Sequence, residues 1–151
     1  LPAVTDSFSK LQNKPEVMIC SGNGILHKQR FGVASHIGIA LDLPTIGVAK
    51  KLVFGQSKKG KIWLNNEICG FEIKTKDVSN PIYASPGHKI SLGMTLKLVS
   101  ESIRPPHKMP EPLHLAHKIG RKKIKNGLFN AKNFLSLRGF ARIHKIYFHF
   151  I

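Results

Sequence analysis

The stretch from Glu16 to Ala49 restricts the possible folds more than any other part of the chain. Glu16 leads into the apolar run Val17-Met18-Ile19-Cys20, which stops at Ser21-Gly22-Asn23-Gly24, the pattern of a short buried strand closed by a turn. After Phe31-Gly32, residues Val33, Ile37 and Ala40/Leu41 recur at helical spacing until Pro44. Thr45 to Ala49 are β-branched or small and predict a second buried strand. Strand, glycine turn, helix and strand in this order form a βαβ unit. Its crossover returns the second strand parallel to the first and places loop residues at the strands' carboxyl ends.

Around this unit the remaining elements predict an α/β domain. Val4, Phe8 and Leu11 share one helical face, with Pro2 in a first turn that tolerates it. Lys61 to Leu64 and Ile68 to Lys74 flank Asn65-Asn66 as a β-hairpin. Pro81 to Ala84 reads as a strand stopping at Ser85-Pro86-Gly87-His88. Ser91 is placed to cap a helix whose apolar face is Leu92, Leu96, Val99 and Ile103. Four prolines between Arg104 and Pro112 require an extended loop, and Leu113 to Ile124 predict a short, very basic helix. At 151 residues the chain suits one domain over 1–126 and a basic, aromatic tail over 127–151. That tail invites base stacking beside phosphate contacts or, alternatively, a lipid surface.

Charge narrows the partner. Lys and Arg number 24 against 8 Asp and Glu, a formal charge of +16, and nucleic acid is the polyanion that such an excess suits best. No apolar run is long enough to cross a bilayer. Leu1-Pro2-Ala3-Val4 lacks the basic lead-in of a secretory signal, so a cytoplasmic location is expected. The missing initiating Met leads us to expect residues before Leu1. Cys20 and Cys69 are too few for a disulfide framework and read as buried thiols.

Two apparent motifs dissolve on inspection. Gly55 to Lys61 has the spacing of a phosphate-binding loop, yet Ile62 stands where a metal-binding hydroxyl is needed and a strand follows, so it reads as a solvated basic turn. His114 and His117 lie on adjacent helical turns without a third ligand in sequence, and read as surface or packing histidines. More specific are three strand ends. Ser21 to His27, Gly47 to Lys51 and Ser85 to His88 are expected to meet on one edge of the sheet, gathering two imidazoles and an ammonium about a glycine-rich concavity suited to a phosphodiester or a splayed base.

These residues resemble the Endonuclease V family from Leu1 to about Phe129. The resemblance is carried by Gly22-Asn23-Gly24-Ile25-Leu26-His27, Phe31-Gly32-Val33-Ala34-Ser35-His36, Pro44-Thr45-Ile46-Gly47-Val48-Ala49-Lys50, Ser85-Pro86-Gly87-His88 and Pro110-Glu111-Pro112. It implies an RNase H-like mixed sheet lacking its first strands, and a Mg²⁺-dependent endonuclease that repairs nucleic acid containing hypoxanthine by cutting on its 3′ side. It implies DNA, and possibly RNA, as partner. On the same basis His27, Lys50 and His88 match polar residues near the scissile phosphate, while Gly22, Asn23 and Gly24, with Ser35 and His36, match the region that receives the base. The family pattern has Asp where this chain has Ser21, and the other metal-binding acids are unmatched, so no metal ligand is assigned. Hard Mg²⁺ needs anionic oxygen. The alternative is a catalytically impaired remnant that still binds nucleic acid.

Overall fold

The computed structural model describes residues 2–75 and 79–125 and the backbone of strand 146–149. In chain order the elements are α1 (Pro2–Ser9), β1 (Val17–Ser21), α2 (Val33–Leu41), β2 (Thr45–Ala49), β3 (Gln56–Lys58), β4 (Lys61–Leu64), β5 (Glu67–Ile73), β6 (Ile82–His88), α3 (Leu92–Glu101), α4 (Glu111–Lys125) and β7 (Ile146–His149). They form one mixed sheet of order β3-β4-β5-β6-β2-β1-β7. The βαβ unit is present as expected, with β1 parallel to β2 from Met18↔Thr45 to Ser21↔Val48. Strand β7 adds in parallel to the outer edge of β1, from Val17↔Ile146 to Cys20↔His149. The rest of the tail, 126–145 and 150–151, and the strand's own side chains lie outside the described residues.

Alternation along the strands sends side chains to two cores. On one face Ile19, Ile46, Val48, Ile82 and Ala84 pack with Val99 of α3 and Leu113 of α4. On the other, Met18 and Cys20 meet Val4 of α1 and Ala34 and Ile37 of α2. Farther along that second face Leu26, Ile62 and Cys69 form a smaller cluster. Both cysteines are free and buried, and burial pushes the Cys20 thiol up to about 12.

Two local expectations change. Strand β6 does not stop at Ala84 but continues through Pro86 to His88. The proline is tolerated because the pairing with β2 is irregular between Thr45 and Ile46, and the Pro86 carbonyl still accepts the Ile25 N–H at 2.7 Å. In α3 the cap is as expected, Ser91 Oγ accepting the Met94 N–H at 3.1 Å. Its buried stripe, however, is Thr95 and Val99, and Leu96 is exposed. The apolar face read from the spacing loses to a threonine whose hydroxyl donates to the Ser91 carbonyl at 2.9 Å.

The positive-φ pairs Lys59-Gly60 and Asn65-Asn66 make the two tight turns of the β3–β4–β5 meander. The basic turn expected at Gly55–Lys61 is therefore a hairpin. A side chain on Gly47 of β2 would overlap the backbone of Gly24 and Asn23, which cannot yield as a flexible side chain could. Gly47→Val is expected to lower stability by about 2 kcal/mol or more in urea unfolding; a loss within about 0.5 kcal/mol would show that this loop is not packed against the strand.

Candidate functional site

The loop after β1 is fastened by its own backbone. The Gly22 N–H donates to Val48 O at 3.0 Å, the Gly24 N–H to Ser85 Oγ at 2.9 Å, and the Ile25 N–H to Pro86 O at 2.7 Å. Helix α2 closes the other side, with Gly32 N–H to Gly24 O at 2.9 Å and Ala34 N–H to Asn23 O at 3.0 Å. Gly22 has φ of 135°, a value that side-chain-bearing residues rarely adopt. Gly24 leaves no room for a Cβ against Pro86. Thus Gly22, Asn23 and Gly24 form a rigid ledge joined to β2, β6 and the first turn of α2.

Ser35 lies in that first turn, 2% exposed, and its hydroxyl has no hydrogen-bond partner among the described residues. Such a group costs on the order of 1–3 kcal/mol if nothing engages it. It is the one candidate base-contacting side chain near the ledge with an unmet need. His36 is turned to the exposed side of α2, where its ring meets Phe31 edge-on at a centroid distance of 4.7 Å.

The three candidate phosphate residues do not converge. β6 runs antiparallel to β2, pairing His88 with Thr45 and Tyr83 with Ala49. His88 therefore sits at the starting end of β2, and Lys50 follows its finishing end, about 16 Å away along the strand direction at ~3.3 Å per residue. At its own end His88 Nε2 is 3.8 Å from Asp42 Oδ1, and Lys89 bonds the same carboxylate. Lys89, and then His88, hold the Asp42 carboxyl below its ordinary value. His27 follows the ledge, its ring edge-on to Phe54 at 5.0 Å and its Nδ1 accepting the Gln29 N–H at 3.3 Å. The expectation of one shared edge fails because a hairpin-built neighbour reverses the strand's direction, which the order of apolar runs does not reveal.

What the fold brings to Lys50 is a different imidazole. Helix α4 packs beside β1, and His117 upon it is half-buried, with its pKa lowered first by burial and then by the charges of Lys50, Arg121 and His114. Ser21 ends β1 at the same rim, in register with Val48. The rim therefore sets the cations Lys50 and Arg121 about the neutral His117 imidazole, beside a serine and the glycine ledge. The only hint of this in the sequence was the His114/His117 pair, and its docking against β1 is a tertiary fact.

This rim does not suit Mg²⁺. Lys50 and Arg121 repel a cation, Ser21 offers a neutral oxygen, and no group of three or more His, Cys, Asp or Glu among the described residues could hold a metal ion. An anion is the complementary ligand.

A mixed sheet whose parallel pair presents a glycine-bound loop and a cationic rim at its carboxyl ends gives this chain the architecture of an RNase H-like protein. The comparisons with known proteins agree and are more specific. The Endonuclease V family model matches residues 1–118, and the chain belongs to that family. It is 37% identical over 131 residues to Endonuclease V of Dictyoglomus thermophilum, covering 82% of this chain and 57% of that protein. Endonuclease V of Trichormus variabilis is 40% identical over 128 residues, covering 79% and 57%. Among solved structures, human ENDOV superposes with a TM-score of 0.73 at 27% identity, over 83% of this chain and 63% of that one. Ciona intestinalis Endonuclease V in complex with a 24mer DNA containing an inosine followed by a ribo-adenosine superposes with a TM-score of 0.70 at 29% identity, over 83% and 62%. The chain spans a little over half the length of the curated relatives it matches.

With its pKa lowered, His117 is neutral at pH 7. Linkage gives the sign: the unfolded chain takes up a proton near pH 6.5 before the folded one does, so this group's contribution to stability is present above that pH and lost as the pH falls through it. In an NMR titration His117 should show a midpoint below 6.5, and Lys50→Met should move it upward. An unchanged midpoint in the variant would separate the two side chains.

Proposed function

We propose that this chain grips inosine-containing nucleic acid for an Endonuclease V-type nuclease, and that the chain alone binds without appreciable cleavage. The observation carrying this reading is the rim in which Lys50 and Arg121 surround the His117 imidazole beside the ledge Gly22–Gly24. Lys50, exposed at its strand end, neutralises a non-bridging phosphate oxygen. His117, neutral in the unliganded protein, sets its imidazole beside the phosphate bound by Lys50, and a bound anion raises its proton affinity. The ledge keeps side chains away from the space against Pro86, so a flipped hypoxanthine would meet backbone there, with the buried Ser35 hydroxyl behind it. The relative from Ciona intestinalis, with its inosine-containing DNA, supports this choice of substrate. His88 takes no part in the phosphate contact, and His27 flanks it.

Endonuclease V enzymes are nucleases, generally metal-dependent. A bound metal would supply charge stabilisation and an activated water, but the residues of this rim do not fit one, so no hydrolytic step is assigned to them. That favours the binding reading over cleavage by this chain.

An oligonucleotide with a single inosine, and its adenosine counterpart, test the reading. The chain should prefer the inosine strand and leave both uncut in Mg²⁺; efficient cutting would overturn it. Lys50→Ala should weaken binding to both strands about tenfold, ~1.4 kcal/mol, and flatten the salt slope by about 0.7 for a single strand. Gly24→Ala, whose Cβ would overlap the Pro86 backbone, should erase the preference together with a loss of stability in urea unfolding.

A further inference from the structure

The sheet is covered unequally. On the face of Val48 and Ala84, helices α3 and α4 cover β1, β2 and β6 and reach only the edge of β5. The same face of β3 and β4 has no helix over it among the described residues. In β4, Ile62 is buried on the opposite face with Leu26 and Cys69, so alternation turns Lys61 and Trp63 to the open one. Their cross-strand partners share that face, Lys58 opposite Lys61 and Gln56 opposite Trp63, while Phe71 of β5 lies beside Lys61. The open face therefore carries two aromatic rings among lysines.

Its chemistry is unbalanced in two respects. Lys58 and Lys61 are direct cross-strand neighbours with Lys59 in the turn between them, and like charges so placed oppose folding. No ion pair compensates these three among the described residues. Trp63 is 36% exposed, although burying a tryptophan ring is strongly favourable. Edge lysines alone are explained as protection against strand pairing. An exposed tryptophan among them is not, and a second copy of this chain would set lysine against lysine.

We propose that this open face is a second nucleic-acid contact, a platform on which unpaired bases of the bound strand stack on Trp63 and Phe71 while Lys58, Lys59 and Lys61 meet its phosphates. Position supports the pairing with the rim. The Gly60 carbonyl accepts the Glu72 N–H at 2.9 Å, Glu72 pairs with Tyr83, and Tyr83 with Ala49. The lysine turn thus lies at the same end of the sheet as Lys50, three strands or roughly 14 Å across. One strand passing Lys50 can continue onto the platform. The inference shares with the function proposed above only the premise that the partner is nucleic acid.

Trp63 is the chain's single tryptophan, so its fluorescence reports this face alone. The full chain is titrated with a single-stranded inosine oligonucleotide and, separately, with inorganic polyphosphate. Quenching by the oligonucleotide and not by polyphosphate is expected, since only bases stack. Trp63→Ala and the double variant Lys58→Glu/Lys61→Glu should each weaken oligonucleotide binding about fivefold or more. Quenching that persists in Lys50→Ala supports the platform even if the rim reading fails. An unchanged spectrum at saturation, equal quenching by polyphosphate, or affinities of both platform variants within about twofold of the parent would overturn it.

Discussion

The direct seating of one backbone on another, Gly22–Ile25 against β2 and β6, is the constraint on which the rest of this structure depends. Gly47 and Gly24 permit the approach, and the amide hydrogens of Gly22, Gly24 and Ile25 find acceptors on Val48, Ser85 and Pro86. Buried amides have few other ways to be satisfied. The same loop supplies the acceptors for Gly32 and Ala34, and so sets where α2 begins. A strand end, a helix start and the neighbouring sheet are thereby fixed relative to one another by hydrogen bonds from main-chain amides and close backbone packing.

That rigidity gives the cationic rim its value. Lys50 leaves β2 two residues after Val48, the strand position that anchors Gly22, so its direction is set by the same pairing. His117 comes from a distant part of the chain on α4 and is half-buried beside Lys50 and Arg121. Clustered positive charge with no carboxylate beside it among the described residues is unfavourable to a hard metal ion and favourable to phosphate. The separate ion group at the opposite end, His88 and Lys89 about Asp42, has a carboxylate at its centre and so satisfies itself.

Much of the fold was legible in sequence because the signals were local. The periodicity of Val33, Ile37 and Leu41, the apolar runs at Val17–Cys20 and Thr45–Ala49, the Asn65-Asn66 turn and the Ser91 cap all act within a few residues of where they are read. The candidate site was legible in part. Gly22–Gly24 and Lys50 sit together, since a βαβ unit fixes its parallel ends. His88 does not join them, because the sign of the β2–β6 pairing depends on how the chain returns through β3, β4 and β5. His36 looked alike in sequence to Ser35, and a rotation of about 100° along the helix puts one outside and the other in.

By itself the sequence determined the makeup of a strongly basic α/β domain: its large positive charge, its parallel unit and the glycines that let its backbones touch. Those are properties of residue type and short spacing. Only the tertiary structure decided which cations share a rim, that His117 replaces His88 beside Lys50, and that Trp63 stands uncovered among lysines. The physical reason is that strand direction and helix docking are settled by long-range pairing and burial, energies that belong to the whole sheet and to no local stretch of it.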